Sequence, residues 1–289
     1  GGGAFMLHYD AKTKKVQSYD GRETAPAAAT EDYLRTISAS NPAAPLPIPA
    51  GTAPESGGAF NALRQSGRSV GTPGAVRMLE LAHKDYGNLA WKDLLQAGTQ
   101  LATDGFPISG RMAAAIDGSR TLLFTDPEAA AYFLNADGTA KTLGTVIKNP
   151  AYAATLTALA STGANALYTG PIAENIVKKI KMTSGGSPSF AITPGLTELS
   201  DLAGYQAKRR DPVCTTYRSY WVCGMGAPSS GGMTVASALG TLENFYLAGY
   251  NGLAFAMGWT GGYVLTAMFL APYLRKFGQF TIPDFLGAR

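Results

Sequence analysis

One segment near the C-terminal end restricts the possible folds more than any other feature of the sequence. No charged residue occurs between Glu243 and Arg275, whereas charges of both signs are scattered through the preceding residues. The apolar run 246–274 is longer than the roughly 20 residues that a helix needs to cross a bilayer. It includes glycines of the kind that packed membrane helices use, among them Gly258 and Gly261. We therefore predict one transmembrane helix over 246–274, with a buried helix of a soluble protein as the alternative.

The composition of the whole chain excludes several classes of protein. Of its 289 residues, 46% are hydrophobic and 15% are charged, which supplies a sizeable core and excludes a wholly disordered chain. Two cysteines are too few for a disulfide scaffold of this length. A net charge of +4 without a stripe of Lys and Arg argues against a nucleic-acid partner. Because His8 and His83 have no ligand spacing with cysteines or carboxylates, we expect no metal site, and we expect no cofactor.

Hydrophobic periodicity and turn residues predict an α+β fold, dominated by helices, for the residues before 246. Extended runs at 5–9 and 16–19, separated by a polar turn, predict a β-hairpin. The stretch 38–58 is rich in Ala, Pro, Ser and Gly and is predicted to be a loop. Helices are predicted over 73–86, 91–103, 109–116, 127–134, 149–162 and 168–182, and a glycine-rich turn that leads into a helix is predicted over 229–245.

The two cysteines lie in a segment, 213–224, that alternates like two strands folding back on each other. A two-residue turn at Arg218-Ser219 would place Cys214 opposite Cys223. Opposite strand residues lie about 4.5–5.5 Å apart between Cα atoms, and a disulfide needs roughly 4.4–6.8 Å. Arg-Ser is not a favoured pair for a tight turn, so a longer turn with two free thiols is the alternative.

Short motifs built from Gly, Pro and charged residues occur in order along most of the chain. They are DGRETAP at 20–26, GTPG at 71–74, DGF at 104–106, LYTG at 167–170, DLAGY at 201–205, RDPV at 210–213 and PSSGG at 228–232. Together with GGGAFML at 1–7, this set resembles the large subunit of the γ-glutamyltransferase (glutathione hydrolase) family over residues 1–245.

The resemblance implies an incomplete αββα N-terminal-nucleophile hydrolase, of which this chain is a large-subunit portion. In that family the precursor cuts itself and exposes a threonine whose hydroxyl and α-amine act as nucleophile and base. This threonine attacks the γ-glutamyl amide of donors such as glutathione. The resemblance also implies that Arg22 binds the α-carboxylate of the donor, because a guanidinium can hold a carboxylate in bidentate fashion. Glu23 would orient Arg22 or satisfy local backbone groups.

The nucleophile that the resemblance calls for is not recognised in this sequence. The small subunit of the family begins with a Thr-Thr-His-like start, and the nearest match, Thr215-Thr216-Tyr217, lies inside the large-subunit pattern. Ser229 and Ser230 lack the G-x-S-x-G pattern and are expected to cap the following helix. We therefore expect no catalytic residue in this chain, a separate small subunit as its partner, and no activity of the chain alone.

Residues 246–289 resemble a different family. GWTGGY at 258–263, LAPYLRKFG at 270–278 and PDFL at 283–286 are similar to a sodium:solute symporter of the acetate- or proline-carrying kind. The predicted domains are thus 1–245 and 246–289. Because Arg275 and Lys276 follow the apolar run, and positive residues prefer the cytoplasm, the first domain is expected on the periplasmic or extracellular face, anchored through 246–274. A symporter fragment behind a foreign N-terminal region, and a natural fusion, are the alternatives.

Overall fold

A computed structural model of the protein describes residues 3–30, 33–34, 66–124, 126–185 and 190–248. The chain divides into two compact units, one made of Gly1–Phe5 and Tyr19–Arg209, the other of Met6–Ser18 and Arg210–Arg289. The described residues form a mixture of helices and short strands in which helices dominate, as the sequence predicts.

Helices and strands are numbered along the chain. The helices are α1 (Ala75–Tyr86), α2 (Trp91–Asp104), α3 (Gly110–Gly118), α4 (Arg120–Leu123), α5 (Pro127–Phe133), α6 (Pro150–Thr162), α7 (Asn165–Tyr168), α8 (Pro171–Ile180), α9 (Leu199–Ala203) and α10 (Gly231–Ala248). The strands are β1 (Ala4–Asp10), β2 (Lys15–Gly21), β3 (Phe106–Pro107), β4 (Val146–Ile147), β5 (Ser184–Gly185), β6 (Phe190–Ala191), β7 (Lys208–Arg210), β8 (Val213–Tyr217) and β9 (Tyr220–Gly224). One sheet has the order β1-β2-β7, and β3–β4, β5–β6 and β8–β9 are antiparallel pairs.

Side-chain caps explain why several predicted helices begin where they do. Ser109, Asp126 and Asn149 accept hydrogen bonds from backbone N–H groups in the first turns of α3, α5 and α6. Pro127 and Pro150 occupy the first helical positions, where a missing N–H removes no intrahelical bond. These helices, and the β1–β2 hairpin, confirm the sequence predictions to within a few residues.

The amphipathic helix predicted over 168–182 is confirmed as α8, which begins three residues later than predicted because α7 ends at Tyr168 and Gly170 separates the two helices. Gly170 has a φ of 72°, in the left-handed region that glycine adopts without steric conflict. Pro171 then starts α8 as its first residue. Within α8 the predicted amphipathic pattern is confirmed, since Val177 and Ile180 are buried while the lysines between and after them are exposed.

Two clusters of buried side chains form the core of the first unit. One joins α7, α8 and α9, and the other joins α3, α5, β4 and the residues between β3 and α3. The members of the first are Ala164, Tyr168, Ala173, Val177, Leu202 and Tyr205, and those of the second are Ile108, Ile116, Leu134 and Ile147. The first cluster contains two tyrosines, Tyr168 and Tyr205. A buried tyrosine hydroxyl needs a hydrogen-bond partner, and the partners of these two belong to the candidate site described below.

The β8–β9 hairpin of the second unit has the predicted register. Tyr217 pairs with Tyr220 across the two-residue turn, and Cys214 pairs with Cys223. The two cysteines form a disulfide, with Cα atoms 4.1 Å apart. The predicted disulfide is therefore confirmed, and the alternative of two free thiols is wrong.

Among the described residues, no helix is both long and apolar enough to cross a bilayer. Helix α10 continues through the boundary predicted between 245 and 246. Beyond 248, the predicted transmembrane helix and the symporter-like segment lie outside the described residues, as does the predicted loop over 38–58.

The turn of the β8–β9 hairpin generates a stability prediction. Arg218 has a φ of 56°, a conformation that costs a residue with a Cβ about 1–2 kcal/mol and costs glycine little. Its guanidinium lies 5.3 Å from the Tyr217 ring centroid, an exposed cation–π contact of smaller energy. We expect Arg218→Gly to raise the free energy of unfolding by roughly 1 kcal/mol in urea titrations without reductant.

The matched control is Arg218→Ala, which removes the same guanidinium but keeps a Cβ. This variant should not be stabilised. Equal stability of the glycine and alanine variants would show that backbone strain at position 218 is not the limiting factor.

Candidate functional site

Arg22 lies in the loop after β2, and its backbone is held on both sides. Its N–H donates to Asp20 Oδ1 at 2.9 Å, and its carbonyl accepts a hydrogen bond from the Tyr205 hydroxyl at 2.7 Å. The side chain, in contrast, is 55% exposed, and its Nε lies 3.6 Å from Glu23 Oε1. Because 3.6 Å is longer than a hydrogen bond, this ion pair does not engage the N–H donors of the guanidinium.

Tyr205 is the side chain that positions Arg22. Its ring stacks on the ring of Tyr168, with centroids 5.8 Å apart and planes within 9°. Burial raises the pKa of Tyr205 to about 12, so the hydroxyl keeps its proton and donates at neutral pH. A glycine is required at Gly74, because a Cβ there would collide with the Tyr205 hydroxyl and the Gly21 carbonyl.

Tyr168, the other ring of the stacked pair, is hydrogen-bonded to the start of α1. Its hydroxyl donates to the Pro73 carbonyl at 2.7 Å and accepts from the Arg77 N–H at 3.3 Å. The Arg77 guanidinium covers the ring face, 4.4 Å from its centroid. The two stacked tyrosines thus fix the start of α1 and the Arg22 loop to one buried cluster.

Two further contacts hold the residues that follow Arg22. Thr24 and Thr72 exchange backbone hydrogen bonds of 3.3 and 2.9 Å. The Ala27 N–H donates to Asp201 Oδ1 at 2.9 Å, while Asp201 Oδ2 accepts from the Glu198 N–H at 2.8 Å at the start of α9. The aspartate therefore caps a helix with one oxygen and holds the loop with the other.

Glu23 contributes a carboxylate beside the guanidinium. Among the described residues, its Oε2 is buried without a hydrogen-bond partner. Gly3 and Gly71 pass close to this side chain, and a Cβ at Gly3 would collide with Oε2. The other oxygen faces Arg22 Nε, an arrangement that agrees with an orienting role.

Four of the sequence motifs therefore meet in the first unit. They are 20–26, 71–74, 167–170 and 201–205, and the bond between Tyr205 and Arg22 spans 183 positions. The sequence motifs predict a role for Arg22 but indicate none for Tyr205, Tyr168 or Asp201. A hydrogen-bonding aromatic residue next to glycine, as in Gly204-Tyr205, is the feature that could have indicated a buried anchor.

The other residues considered as nucleophiles lie within a hairpin or at the start of a helix. Thr215 and Thr216 pair with Val222 and Trp221 inside the β8–β9 hairpin. Ser230 precedes α10, and its carbonyl accepts from the Thr234 N–H at 2.9 Å. The glycines after these serines permit close packing, since a Cβ at Gly232 would collide with the Met225 carbonyl and one at Gly224 with Gly232 Cα.

His83, on α1, contacts a backbone carbonyl and an aromatic ring. His83 Nε2 lies 2.8 Å from the Leu89 carbonyl, and its ring contacts Trp91 edge-on at 5.3 Å. Within the described ranges, no group of three or more His, Cys, Asp or Glu residues could hold a metal ion.

Comparisons with known proteins identify relatives of this chain. Residues 1–259 match the family model described as Gamma-glutamyltranspeptidase. The chain is 31% identical over 245 residues to Glutathione hydrolase 2 of Arabidopsis thaliana, and 30% identical over 252 residues to the glutathione hydrolase proenzyme of Escherichia coli strain K12. These matches cover 85% and 86% of this chain but only 36% and 38% of the relatives. The chain thus spans little more than a third of their length.

Solved structures of gamma-glutamyltranspeptidases have a fold similar to that of this chain. Gamma-glutamyltranspeptidase of Helicobacter pylori has a TM-score of 0.68 at 28% identity, covering 86% of this chain and 64% of that one. Gamma-glutamyltranspeptidase from Pseudomonas nitroreducens complexed with L-DON has a TM-score of 0.66 at 28% identity, with the same coverage. The predicted α+β N-terminal-nucleophile hydrolase relationship is confirmed. The comparisons give no support to a symporter relationship for 246–289.

The anchoring of the Arg22 loop leads to a prediction for Tyr205. Tyr205→Phe keeps the ring stacked on Tyr168 but removes the hydrogen bond to the Arg22 carbonyl. We expect the free energy of unfolding to fall by about 1 kcal/mol in urea titrations at pH 7. Because the folded-state pKa exceeds the usual 10.0, wild-type stability should also fall as pH rises from 10 to about 12.

That alkaline loss should be smaller in Tyr205→Phe than in the wild type, since one tyrosine with a raised pKa has been removed. Identical alkaline profiles for the two proteins, together with unchanged stability at pH 7, would contradict the anchoring role.

Proposed function

The chain belongs to the gamma-glutamyltranspeptidase family, and on this basis we propose that it is the large-subunit, donor-binding portion of a glutathione hydrolase. The observation that supports the proposal is that Arg22 combines a fixed backbone with an exposed side chain. Its backbone is held by Asp20 and Tyr205 while its guanidinium is exposed. A cation presented from a fixed backbone is suited to binding an anionic ligand group in one orientation.

The proposed ligand group is the free α-carboxylate of a γ-glutamyl donor. In an ordinary peptide the α-carboxyl of a glutamate is consumed in the peptide bond, whereas in glutathione the γ-carboxyl is used instead. A requirement for a free α-carboxylate therefore selects γ-linked donors. Arg22 would hold this carboxylate through two parallel N–H···O bonds, with Glu23 restricting the orientation of its guanidinium.

We assign no catalytic nucleophile to these residues. Thr215 and Thr216 lie within β8, so neither has the free α-amine that an N-terminal nucleophile uses as its base. The proposed partner is a small subunit of the family, which would supply the nucleophilic threonine and the oxyanion donors. In this proposal the large-subunit portion selects and orients the donor, and the small subunit breaks the γ-glutamyl amide.

We place this function on the periplasmic or extracellular side. The Cys214–Cys223 disulfide supports an oxidising compartment, because disulfides persist there and are rare in the cytosol. Anchoring of the chain through 246–274 rests on the apolar sequence alone.

The first prediction from this proposal concerns turnover. The purified 289-residue chain should not hydrolyse a γ-glutamyl anilide, because the nucleophile and oxyanion donors are assigned to another subunit. Release of the aniline would be followed against Arg22→Ala chain prepared in the same way. Turnover by the wild type that is absent from the variant would overturn the assignment of the nucleophile to a partner.

The second prediction concerns binding of the donor. S-methylglutathione keeps the γ-glutamyl group and cannot exchange with disulfides, so calorimetric titration with it reports on the donor site. We expect Arg22→Ala to weaken binding by at least about tenfold, or roughly 1.4 kcal/mol. Arg22→Lys should weaken it less, because an ammonium keeps the charge but not the bidentate geometry.

The matched control is Arg111→Ala, which removes the same charge from an exposed position on α3. It should bind S-methylglutathione as the wild type does. Equal affinities for the wild type, Arg22→Ala and Arg22→Lys would remove Arg22 from the donor site.

A further inference from the structure

A groove of about 860 Å³ in the second unit has the Cys214–Cys223 disulfide in its wall. We call it the disulfide groove. Besides the two cysteines, its lining includes Leu7, Tyr9, Lys14, Tyr220 and Trp221. Its two sides, from the β1–β2 hairpin and the β8–β9 hairpin, are tied together because Gln17 Nε2 and Ser18 Oγ both donate to the Arg210 carbonyl, at 2.9 and 2.6 Å.

The two cysteines of the disulfide differ in their exposure to solvent. Cys214 is exposed, whereas Cys223 is half-buried. Tyr220 and Trp221 beside them are 69% and 73% exposed, so the approach to the disulfide is open. Exposed disulfides are the labile ones in thiol exchange, and an incoming thiolate attacks the sulfur that it can reach. The geometry therefore favours attack at Cys214 Sγ.

The positive charge in the groove favours negatively charged thiols. Among the described residues that line it, Lys14 is the charged one, and the others are apolar, aromatic or neutral. An ammonium beside the disulfide raises the local concentration of anionic molecules and favours the thiolate form that reacts. Aromatic walls accept the aliphatic part of such a ligand. The matching chemical class is a low-molecular-weight thiol that carries carboxylates.

We propose that the disulfide groove is a thiol–disulfide exchange site at which an anionic small thiol becomes attached to Cys214. The thiolate of the ligand attacks Cys214 Sγ, the bond between the two protein sulfurs breaks, and Cys223 leaves as a thiolate that takes up a proton. The products are a mixed disulfide on Cys214 and a free thiol on Cys223. A second ligand thiolate can then attack the ligand sulfur, which releases a ligand disulfide and leaves Cys214 as a thiol.

The exchange would remove the covalent link between β8 and β9. The two strands would then be joined by their ladder and two-residue turn alone. Attachment of the thiol is therefore a reversible modification of the hairpin against which the Gly231-Gly232 end of α10 is closely packed. It does not depend on Arg22, which belongs to the first unit.

The experiment uses the oxidised full chain and glutathione as the probe. After timed incubation, free thiols are blocked with iodoacetamide and the protein is digested with trypsin without reduction. Trypsin cleaves after Arg218, between the two cysteines, so each reports on a separate peptide once the disulfide has opened. We expect a glutathione adduct on the Cys214 peptide and an alkylated Cys223. An intact disulfide at millimolar glutathione, or an adduct found on Cys223, would overturn the proposal.

Charge selection is tested with a cationic thiol and a matched pair of variants. At equal thiolate concentration, glutathione should react faster than cysteamine. Lys14→Gln should slow the glutathione reaction about fivefold, as expected for losing one charge near the surface. Lys12→Gln makes the same charge change in the same turn but at a residue outside the groove lining, and it should react like the wild type.

Equal rates for the two lysine variants would overturn the role of Lys14 and with it the selection of anionic thiols. Arg22→Ala should form the Cys214 adduct at the wild-type rate. This variant separates the exchange site from the donor site, because loss of donor binding without loss of adduct formation assigns the two properties to different residues.

Discussion

The hydrogen bond from the buried Tyr205 hydroxyl to the Arg22 carbonyl joins two residues 183 positions apart, and the candidate site depends on it. The other hydrogen bond described for the Arg22 backbone, from its N–H to Asp20 Oδ1, is local. Fixing the backbone of one residue opposes folding by roughly 1–2 kcal/mol. Here the stacked tyrosine pair and the surrounding core offset that entropy during folding. A ligand that binds the guanidinium then does not have to order the loop itself.

The local features of the fold could be predicted from the sequence because their causes are local. Asn149 followed by Pro150 sets the start of α6, and alternation around Arg218-Ser219 sets the register that brings the two cysteines together. The start of α8 at Pro171 lies three residues after the predicted one, because hydrophobic spacing continues across Gly170 although Gly-Pro is visible in the sequence. The short helix α9 was missed despite its capping box, since five residues carry too little periodicity to detect.

The candidate site could be predicted only in part, because its supports are long-range. Arg22 was recognised from a motif, but that motif gives no indication that Asp201 holds the Ala27 N–H or that Gly74 makes room for the Tyr205 hydroxyl. Such contacts depend on how distant segments pack, which neither propensity nor spacing encodes. The apolar character of 246–274 is a property of the sequence, and its interpretation as a membrane segment remains a prediction.

Hydrogen exchange at backbone amides tests the central claim, which is that distant contacts order the Arg22 loop before any ligand binds. The informative amides are those of Arg22, Thr24 and Ala27, which donate to Asp20, Thr72 and Asp201. We expect these amides to be protected to the same degree as that of Met78 in the first turn of α1, which donates to the Gly74 carbonyl. Exchange of the three loop amides at unprotected rates, with Met78 protected, would contradict it.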